Sequence, residues 1–311
     1  MAWIDTFSLL PLDCRLKAKQ EFVLPAFKGG TFRGAFGYAF KKAVCVLPRN
    51  RDCEQCILQS SCVYAYVFET PRQGNEPVMR KYKRLPHPFV LRPPLTRSRL
   101  IKPGDNLDFR LVLIGRAIEF LPYFVLVLNT LGELGLGRDR GVCSLEKITV
   151  AQEEIFTKGD SNVRHVPPLT ARDLASQSKP NEHLTMKLKT PLKLIRDHQI
   201  LRHEPQFQDI FRFLLRRVAL LGQFHCALQP DCDFRAFIDQ SREIKLQESD
   251  ISWMNWTRYS TRQESNMPGS GFVGRLTFQG DLKPYWPFLC LGKYVHVGKN
   301  TSFGLGCYEF G

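Results

Sequence analysis

The chain has 311 residues, of which 43% are hydrophobic and 24% are charged. This balance excludes a disordered chain and leaves room for two domains of ordinary size. The 44 Lys and Arg residues exceed the 30 Asp and Glu residues, so the formal net charge is +14. A surplus of this size favours a polyanionic partner such as nucleic acid, because each neutralised phosphate releases counterions.

Membrane and secretory segments are not expected. No stretch approaches the ~18 uncharged apolar residues of a membrane helix, and the longest apolar run, near Phe120 to Leu128, contains Pro122. The N-terminus has no basic leader before its apolar residues, unlike a signal peptide. Ten cysteines in such a chain indicate free thiols or metal ligands. We therefore expect a cytoplasmic protein without a membrane partner.

The first half of the chain predicts the order βαββαβ. A strand is predicted over Gln20 to Phe27. A helix follows over Phe32 to Cys45, because apolar residues recur there every four positions. The next strands are predicted near Pro88 to Arg92 and over Leu107 to Leu113, the second from alternating apolar and polar residues. The last helix and strand are predicted over Pro122 to Leu131 and Ser144 to Val150.

The second half repeats this order. Its predicted elements are a strand over Leu184 to Lys189, a helix over Pro205 to His225, strands over Trp253 to Tyr259 and Phe272 to Phe278, a helix over Pro284 to Leu291, and a strand over Cys307 to Phe310. The segments Leu121 to Gly141 and Leu282 to Ser302 also resemble each other in sequence, which indicates tandem domains.

These patterns predict an α+β fold of two tandem ferredoxin-like domains. The first domain covers residues 1–160 and carries an inserted cysteine cluster at 45–62. A polar linker with three prolines covers 161–182. The second domain covers 183–311 and ends in a glycine-rich loop.

The cysteine cluster predicts a metal site. Cys53 and Cys56 have the spacing typical of a tetrahedral zinc site, and Cys45 and Cys62 complete a set of four thiolates. We expect structural zinc, with an iron–sulfur cluster as the alternative because its ligands are also four thiolates. Reduced cysteines at chance spacing are the simpler reading.

The glycine-rich segment near the C-terminus predicts phosphate contact. Glycines bring backbone N–H groups close to a phosphate, and Lys293 and Lys299 supply charge while Thr301 and Ser302 supply short donors. The segment is not a Walker loop, because it lacks the GKS or GKT ending and the preceding strand. A glycine-rich turn needed only for folding would have the same composition.

Six segments, taken in order, resemble the repeat-associated RNA-binding (RAMP) proteins and, among them, the Cas-six family of CRISPR repeat-processing endoribonucleases. They are FKGGTFRGAFGYAF (Phe27 to Phe40), CVYAYVFET (Cys62 to Thr70), PHPFVLRPP (Pro86 to Pro94), LGELGLGRDRG (Leu131 to Gly141), WTRYSTRQ (Trp256 to Gln263) and HVGKNTSFGLG (His296 to Gly306).

The resemblance implies binding and cleavage of precursor CRISPR RNA within its repeats, without a catalytic metal. The 2′-hydroxyl attacks its own 3′ phosphate and leaves a 2′,3′-cyclic phosphate and a 5′-hydroxyl. This chemistry needs a base, an acid and cations. Precursor and mature CRISPR RNA are the implied partners, together with subunits of a CRISPR effector complex.

Candidate site residues follow from this resemblance. Many family members carry a histidine on the first helix, which here offers only Tyr38, Lys41 and Lys42. We therefore expect His296 to act as base or acid, Lys299 to stabilise phosphate charge, and Tyr38 or Lys41 to complete the catalytic site. The predicted RNA-binding residues are Arg33, Arg138, Arg258, Arg262, Lys293, Gly298, Thr301, Ser302, Phe303, Gly304 and Gly306, with Trp256 and Tyr259 as further stacking candidates.

Two other functions remain open. A non-cleaving RNA-binding subunit of a CRISPR effector complex would share the fold and the loop, and the missing first-helix histidine favours it. A zinc-dependent nucleic-acid enzyme is disfavoured, because four cysteine ligands leave no open position for water.

Overall fold

Two antiparallel sheets organise the chain, one in each half, in a computed structural model that describes residues 2–47, 53–70, 85–260 and 265–311. Side chains of 258–267 are not described. In the first module the sheet is formed by β1 (Ser8–Ala18), β3 (Phe89–Arg92), β5 (Asn106–Ile114), β6 (Cys143–Val150), β7 (Glu153–Thr157) and β8 (Leu169–Thr170). A separate two-stranded ribbon pairs β2 (Phe22–Val23) with β4 (Leu100–Ile101).

The second module has the sheet order β12-β13-β9-β14. Its strands are β9 (His183–Leu192), β12 (Lys245–Ser260), β13 (Ser265–Gln279) and β14 (Tyr308–Phe310), beside a small ribbon of β10 (Ile195–Arg196) and β11 (Gln199–Ile200). The first sheet runs β3-β5-β1-β6-β7. Numbered within each module, both sheets therefore place their main strands in the order second, third, first, fourth.

Helices connect these strands at matching places. They are α1 (Gly29–Val44) and α2 (Leu121–Leu134) in the first module, α3 (Ala171–Ser176) between the modules, and α4 (Phe207–His225), α5 (Phe234–Gln240) and α6 (Trp286–Val295) in the second. The mixed α/β fold with antiparallel sheets agrees with the sequence prediction.

The first strand differs from the prediction. The strand expected over Gln20 to Phe27 is only the two-residue β2, and β1 opens the module instead. Pro11 obscured β1, because proline removes a ladder donor and is rare inside a sheet. Here it lies between the part of β1 that pairs with β6, from Asp13 onward, and the part that pairs with β8, at Ser8 and Leu9. On the edge of β1 that faces β6 and β8, residue 11 has no paired partner, so no backbone donor is required there.

Helix α2 is the most apolar element of the chain. With the preceding turn it forms a stretch, Gly115–Leu134, that is long and apolar enough to cross a membrane by length and composition alone. Phe124, Val127, Leu128 and Leu131 are fully buried in the core of the first module. Burial inside the protein accounts for this hydrophobicity.

The two modules share a core. Leu9, Val90, Val112 and Ile114 of the first sheet pack into the hydrophobic cluster of the second module, while the other face of that sheet packs on α1 and α2. A polar bridge spans the same boundary: His225 Nε2 donates to the Pro86 carbonyl at 2.8 Å, and His225 Nδ1 accepts from the Tyr66 hydroxyl at 3.1 Å. The first sheet is therefore covered on both sides.

The segment between the modules contains regular structure. Strand β8 pairs with β1, and α3 begins at a capping box in which Thr170 and Asp173 bond each other's backbone N–H. The Trp286 indole N–H of α6 donates to the carbonyls of Ala175 and Ser178 at 3.3 and 2.8 Å. This segment is therefore attached to both modules.

Candidate nucleic-acid interface

The glycine-rich loop, residues 296–307, joins α6 to β14 and is fixed to the end of β9. The Lys299 N–H donates to the Lys193 carbonyl at 2.9 Å, and the Gly306 N–H donates to the Pro191 carbonyl at 3.0 Å. The buried Thr190 hydroxyl donates to the Gly304 carbonyl at 2.7 Å. The loop therefore has one defined backbone path.

Packing explains two of the loop glycines. Gly298 and Gly306 have φ of 90° and 70°, a left-handed conformation that favours glycine. A β-carbon at Gly298 would come within 2.5 Å of the Lys193 carbonyl oxygen, and one at Gly306 would collide with the Val297 carbonyl oxygen. The fold itself needs these glycines, so their predicted RNA contact has no separate support from their conformation.

The loop also closes against the first module. The Phe303 carbonyl oxygen faces the Cα of Gly29 at the start of α1, and no β-carbon fits between them. On the neighbouring side, a β-carbon at Gly304 would meet the Leu91 carbonyl oxygen at 2.7 Å. We call this region, residues 27–33, 91–93 and 299–304, the loop–helix junction. It brings the glycine-rich loop and the start of α1 together.

Arg33 lies inside this junction among aromatic rings. Its guanidinium carbon is 4.3 Å from the Phe68 ring centroid, 5.0 Å from that of Phe89 and 5.8 Å from that of Phe303. One terminal nitrogen is 3.4 Å from His87 Nε2, whereas the buried Nε has no hydrogen-bond partner among the residues described. Burial lowers the pKa of Arg33 to about 10. Arg33, which the sequence predicts to bind RNA, is therefore a half-buried cation next to the Phe303 ring.

His296, the predicted catalytic base or acid, is buried. Its side chain sits inside the loop, where Nδ1 is 3.2 Å from the Leu305 carbonyl oxygen and the residue is only 2% exposed. Burial lowers the pKa of the imidazole to about 3, and the nearby guanidinium groups of Arg217 and Arg92 act in the same direction. The ring is neutral near pH 7, and in this conformation it does not reach an RNA phosphate.

The other loop residues differ in exposure. Lys299 is exposed, Ser302 and Phe303 are half-buried, and Thr301 is buried. Lys293 lies on α6, where its ammonium is 5.0 Å from the Phe310 ring centroid. Lys299 is therefore the loop cation best placed to meet a phosphate.

Tyr38 and Lys41 do not join the loop. Both lie on α1, which begins at the junction and runs away from it. At 1.5 Å per residue they are about 14 and 18 Å along the axis from Gly29. Tyr38 is 57% exposed, and the Lys41 ammonium lies 5.8 Å from the Tyr64 ring centroid, near the cysteine segment. The predicted catalytic set is therefore split between two places.

The remaining residues predicted to bind RNA lie in two other segments. Arg138 is exposed in the connection between α2 and β6. Arg258 belongs to β12, but its side chain, like that of Tyr259, is not described, and Arg262 lies outside the described residues. The Trp256 ring is 5.4 Å from that of Phe27, so the hairpin of β12 and β13 reaches the start of α1.

Sequence patterns did not indicate two further cations near the loop, the buried Lys28 and the half-buried Arg217. Lys28 is only 1% exposed, and its ammonium donates to the Thr96 carbonyl at 2.8 Å. Burial lowers the pKa of Lys28, and Arg99 adds to the effect. Arg217 of α4 donates to the Val295 carbonyl at 2.6 Å, and burial lowers its pKa to about 9. Their burial depends on contacts distant in sequence, which local patterns do not show.

The four predicted zinc ligands are partly buried free thiols. Burial raises the pKa of the Cys53 thiol, Lys41 opposes this, and Glu69, Cys45 and Cys62 add to the rise. Within the described ranges, no three His, Cys, Asp or Glu side chains are grouped closely enough to hold a metal ion. The geometry therefore adds no support to a site at Cys45, Cys53, Cys56 and Cys62, and the zinc prediction rests on their spacing.

Family models match both modules. Residues 7–168, more than half of the chain, match the family AF_1859_N, described as an N-terminal domain, and the chain belongs to it. Residues 186–308 match the family described as CRISPR-associated endoribonuclease Cas6. An uncharacterized protein of Archaeoglobus fulgidus is 25% identical over 196 residues, which cover 58% of this chain and 63% of that protein.

Solved structures share the fold. Cas6 of Thermus thermophilus superposes with a TM-score of 0.57 at 14% identity, with 98% of each chain covered. A chain of a partial Cas6-RT-Cas1–Cas2 complex superposes with a TM-score of 0.60 at 12% identity; the match covers all of this chain but only 47% of that one. The C-terminal match, over 123 of the 311 residues, is to a family of CRISPR-associated endoribonucleases. Residues 186–308 therefore resemble the Cas6 family, and the chain as a whole shares the fold of solved Cas6 structures.

Proposed function

We propose that this chain binds CRISPR repeat RNA across the loop–helix junction and cleaves it there as an endoribonuclease. The observation that carries the proposal is the closure of the glycine-rich loop of one module against Gly29 and Leu91 of the other. This contact holds the exposed Lys299 beside the start of α1 in a chain of net charge +14. We also propose that both modules are ferredoxin-like domains, because their strand orders agree.

The proposed reaction needs no metal. The RNA supplies its own nucleophile: the 2′-hydroxyl gives its proton to water and attacks the adjacent phosphate, and the 5′-oxygen leaves and takes up a proton from water. Lys299 would stabilise the negative charge that develops on the phosphate. His296 is assigned to the inner structure of the loop, because a neutral ring bonded to the Leu305 carbonyl has no path to the substrate.

A second candidate is a non-cleaving RNA-binding subunit of a CRISPR effector complex. The observation that favours it concerns the two described histidines nearest the junction: His296 is buried, and His87 is held between Arg33 and Thr70 at 3.4 and 3.2 Å. Such a subunit would keep the RNA-binding surface without acid–base chemistry.

One experiment separates these functions. The purified chain is incubated with its CRISPR repeat RNA in EDTA, and binding, cleavage and product ends are measured. Products with 2′,3′-cyclic phosphate and 5′-hydroxyl ends support the endoribonuclease, and deoxyribose at the mapped position should abolish cutting. Tight binding without products supports the second candidate. Loss of cleavage in EDTA with recovery in Mg²⁺ would contradict the metal-free reaction, and absence of binding at low salt would overturn both functions.

A further inference from the structure

An arginine-rich surface of the first module continues from the loop–helix junction. It carries Arg97 and Arg99, in the segment between β3 and β4, and Arg138 and Arg140, in the connection between α2 and β6. All four are exposed, and none belongs to an ion pair within the described ranges of the chain. We call these four residues the basic track.

Direct contacts join the two halves of the track. A β-carbon at Gly137 would lie 2.9 Å from the Val23 carbonyl oxygen, so the connection packs on β2. The Val23 N–H donates to the Asp139 carboxylate at 3.3 Å. In turn, β2 pairs with β4, and the Leu24 N–H donates to the Arg99 carbonyl at 2.8 Å. The two segments that carry the four arginines are therefore held together through β2.

The track leads to the junction. The ammonium of Lys28 is bonded to the Thr96 carbonyl, one residue before Arg97. Lys28 directly precedes Gly29, whose Cα faces the Phe303 carbonyl. Gly29 is six residues after Val23, so the distance between them is at most about 22 Å. The track and the junction are therefore within about 22 Å of each other along this part of the chain.

The chemistry of the track fits single-stranded RNA. Arginines without carboxylate partners attract phosphates, and the exposed side chains of Val23, Leu95 and Leu100, each 43 to 44% exposed, offer apolar surface to bases. Two carboxylates nearby accept backbone hydrogen bonds: Asp139 from Val23, and Asp105 from the Lys102 N–H at 2.8 Å. These hydrogen bonds partly offset the negative charge of the two carboxylates.

The duplication of the modules supports the same reading. The connection at 135–142 links α2 to β6, the fourth main strand of its module, as the glycine-rich loop links α6 to β14 in the second module. Both connections carry left-handed glycines, Gly137 at φ 78° and Gly298 at φ 90°. Each module therefore presents one basic glycine connection.

We infer that the basic track binds a second stretch of the RNA backbone, adjoining the stretch held at the loop–helix junction. This inference rests on the proposed function, since it concerns the same RNA. It assigns the contact to Arg97, Arg99 and Arg140 in addition to Arg138, and it identifies the ligand as single-stranded RNA recognised through its phosphates.

The test removes the charges and keeps polar side chains. The track variant carries Arg97→Gln, Arg138→Gln and Arg140→Gln. Arg99 is left intact because its Nε donates to the Leu24 carbonyl at 3.5 Å and supports the ribbon. The control variant carries Lys179→Gln, Lys245→Gln and Lys283→Gln, three exposed lysines near the start of β9, about 30 Å along that strand from the loop.

Both variants and the parent chain are titrated with fluorescein-labelled repeat RNA that is 2′-O-methylated throughout, so that it cannot be cut. At 0.15 M salt we expect the track variant to bind at least about tenfold more weakly than the control variant. Its slope of log affinity against log salt should fall by about two, since one single-strand phosphate contact contributes about 0.7. The melting temperature should match that of the parent.

The outcomes separate the two proposals. If the parent binds the RNA and the track variant binds it as the control variant does, the inference is wrong and the proposed function stands. If the parent itself does not bind, the proposed function fails first. A track variant that loses affinity together with its melting temperature is replaced by Arg138→Gln alone, whose salt slope should still fall by about 0.7. An unchanged slope would overturn the track.

Discussion

Gly29 and Phe303 belong to different modules and touch through their backbones. The Phe303 carbonyl oxygen occupies the space in which a β-carbon of residue 29 would lie, and Phe27 closes the same space from the other side. Because one partner is a backbone oxygen of a tightly bonded loop, it cannot move aside as a flexible side chain would. This contact sets the position of the glycine-rich loop relative to α1.

The substitution Gly29→Ala should therefore displace the loop. We expect unfolding to become easier by about 1–3 kcal/mol, the usual cost of overpacking, and RNA affinity to fall with it. The matched control is Gly34→Ala on the same helix, where a β-carbon meets nothing within 4 Å. That change should stabilise the protein by about 0.5–1 kcal/mol, because alanine favours helix, and should leave binding unchanged. Equal behaviour of the two variants in urea unfolding would contradict this account.

His296 combines an unusual backbone with a buried ring. Its φ of 60° and ψ of 170° belong to a region that only glycine adopts without strain. In His296→Gly, relief of about 1–3 kcal/mol of strain should offset part of the lost packing, so the variant should remain folded. Because the ring is neutral and bonded to the Leu305 carbonyl, we expect the cleavage rate at saturating RNA to change by less than about tenfold.

A different result would assign a catalytic role to His296. An acid–base group contributes about a hundredfold or more to a rate. If His296→Gly binds RNA with parental affinity but cleaves it at least that much more slowly, His296 is a catalytic residue and the loop must open to expose it. Cleavage over a range of pH would show which titration is lost.

Local patterns were sufficient for most helices and strands. The helix expected over Phe32 to Cys45 is α1, Gly29–Val44, because every fourth residue is apolar and faces one core. The strand expected over Leu107 to Leu113 is β5, Asn106–Ile114. Apolar and polar residues alternate along it because one face of the strand is more exposed than the other. Strand β1 was missed although its second half, Leu12 to Ala18, alternates apolar and polar residues. Its first half is buried on both faces over Leu9 to Leu12 and contains Pro11, which disfavoured a strand there.

The candidate site was less predictable, because the sequence shows residue type but not burial. His296 and Lys299 are three residues apart in one basic segment, yet one is buried and the other exposed. The burial of Arg33 was also not predictable, because the rings around it belong to Phe68, Phe89 and Phe303, which are distant in sequence. These positions depend on which modules pack together, and no periodicity encodes that.

The cysteine segment carries a separate prediction. The spacing of Cys53 and Cys56 predicts a structural zinc ion, with Cys45 and Cys62 as its other ligands. We expect about one zinc per chain in the purified protein, lost in Cys53→Ser and retained in the control Cys232→Ser, a partly buried cysteine outside the segment. Elemental analysis provides the measurement. A folded parent chain without zinc would contradict the site, and iron with bound sulfide would identify the iron–sulfur alternative.

The buried histidines make stability depend on pH. Burial lowers the pKa of His225 to about 4, and Arg217 acts in the same direction while the Pro86 carbonyl opposes it; the pKa of His296 is lowered to about 3. The unfolded chain, with a histidine pKa near 6.5, therefore binds more protons than the folded chain between about pH 4 and 6.5. The free energy of unfolding must fall as pH decreases through this window.

For each of the two histidines, the loss between pH 7 and pH 5 should be roughly 2 kcal/mol, because about 1.5 pH units lie below the unfolded pKa at 1.36 kcal/mol each. The variant His225→Gln tests this directly. A glutamine can donate to the Pro86 carbonyl and accept from the Tyr66 hydroxyl, as His225 does, but it does not titrate. Urea unfolding at both pH values should show a dependence reduced by about the share of one histidine. An unchanged dependence would mean that His225 is protonated in the folded protein and that the bridge between the modules survives its charge.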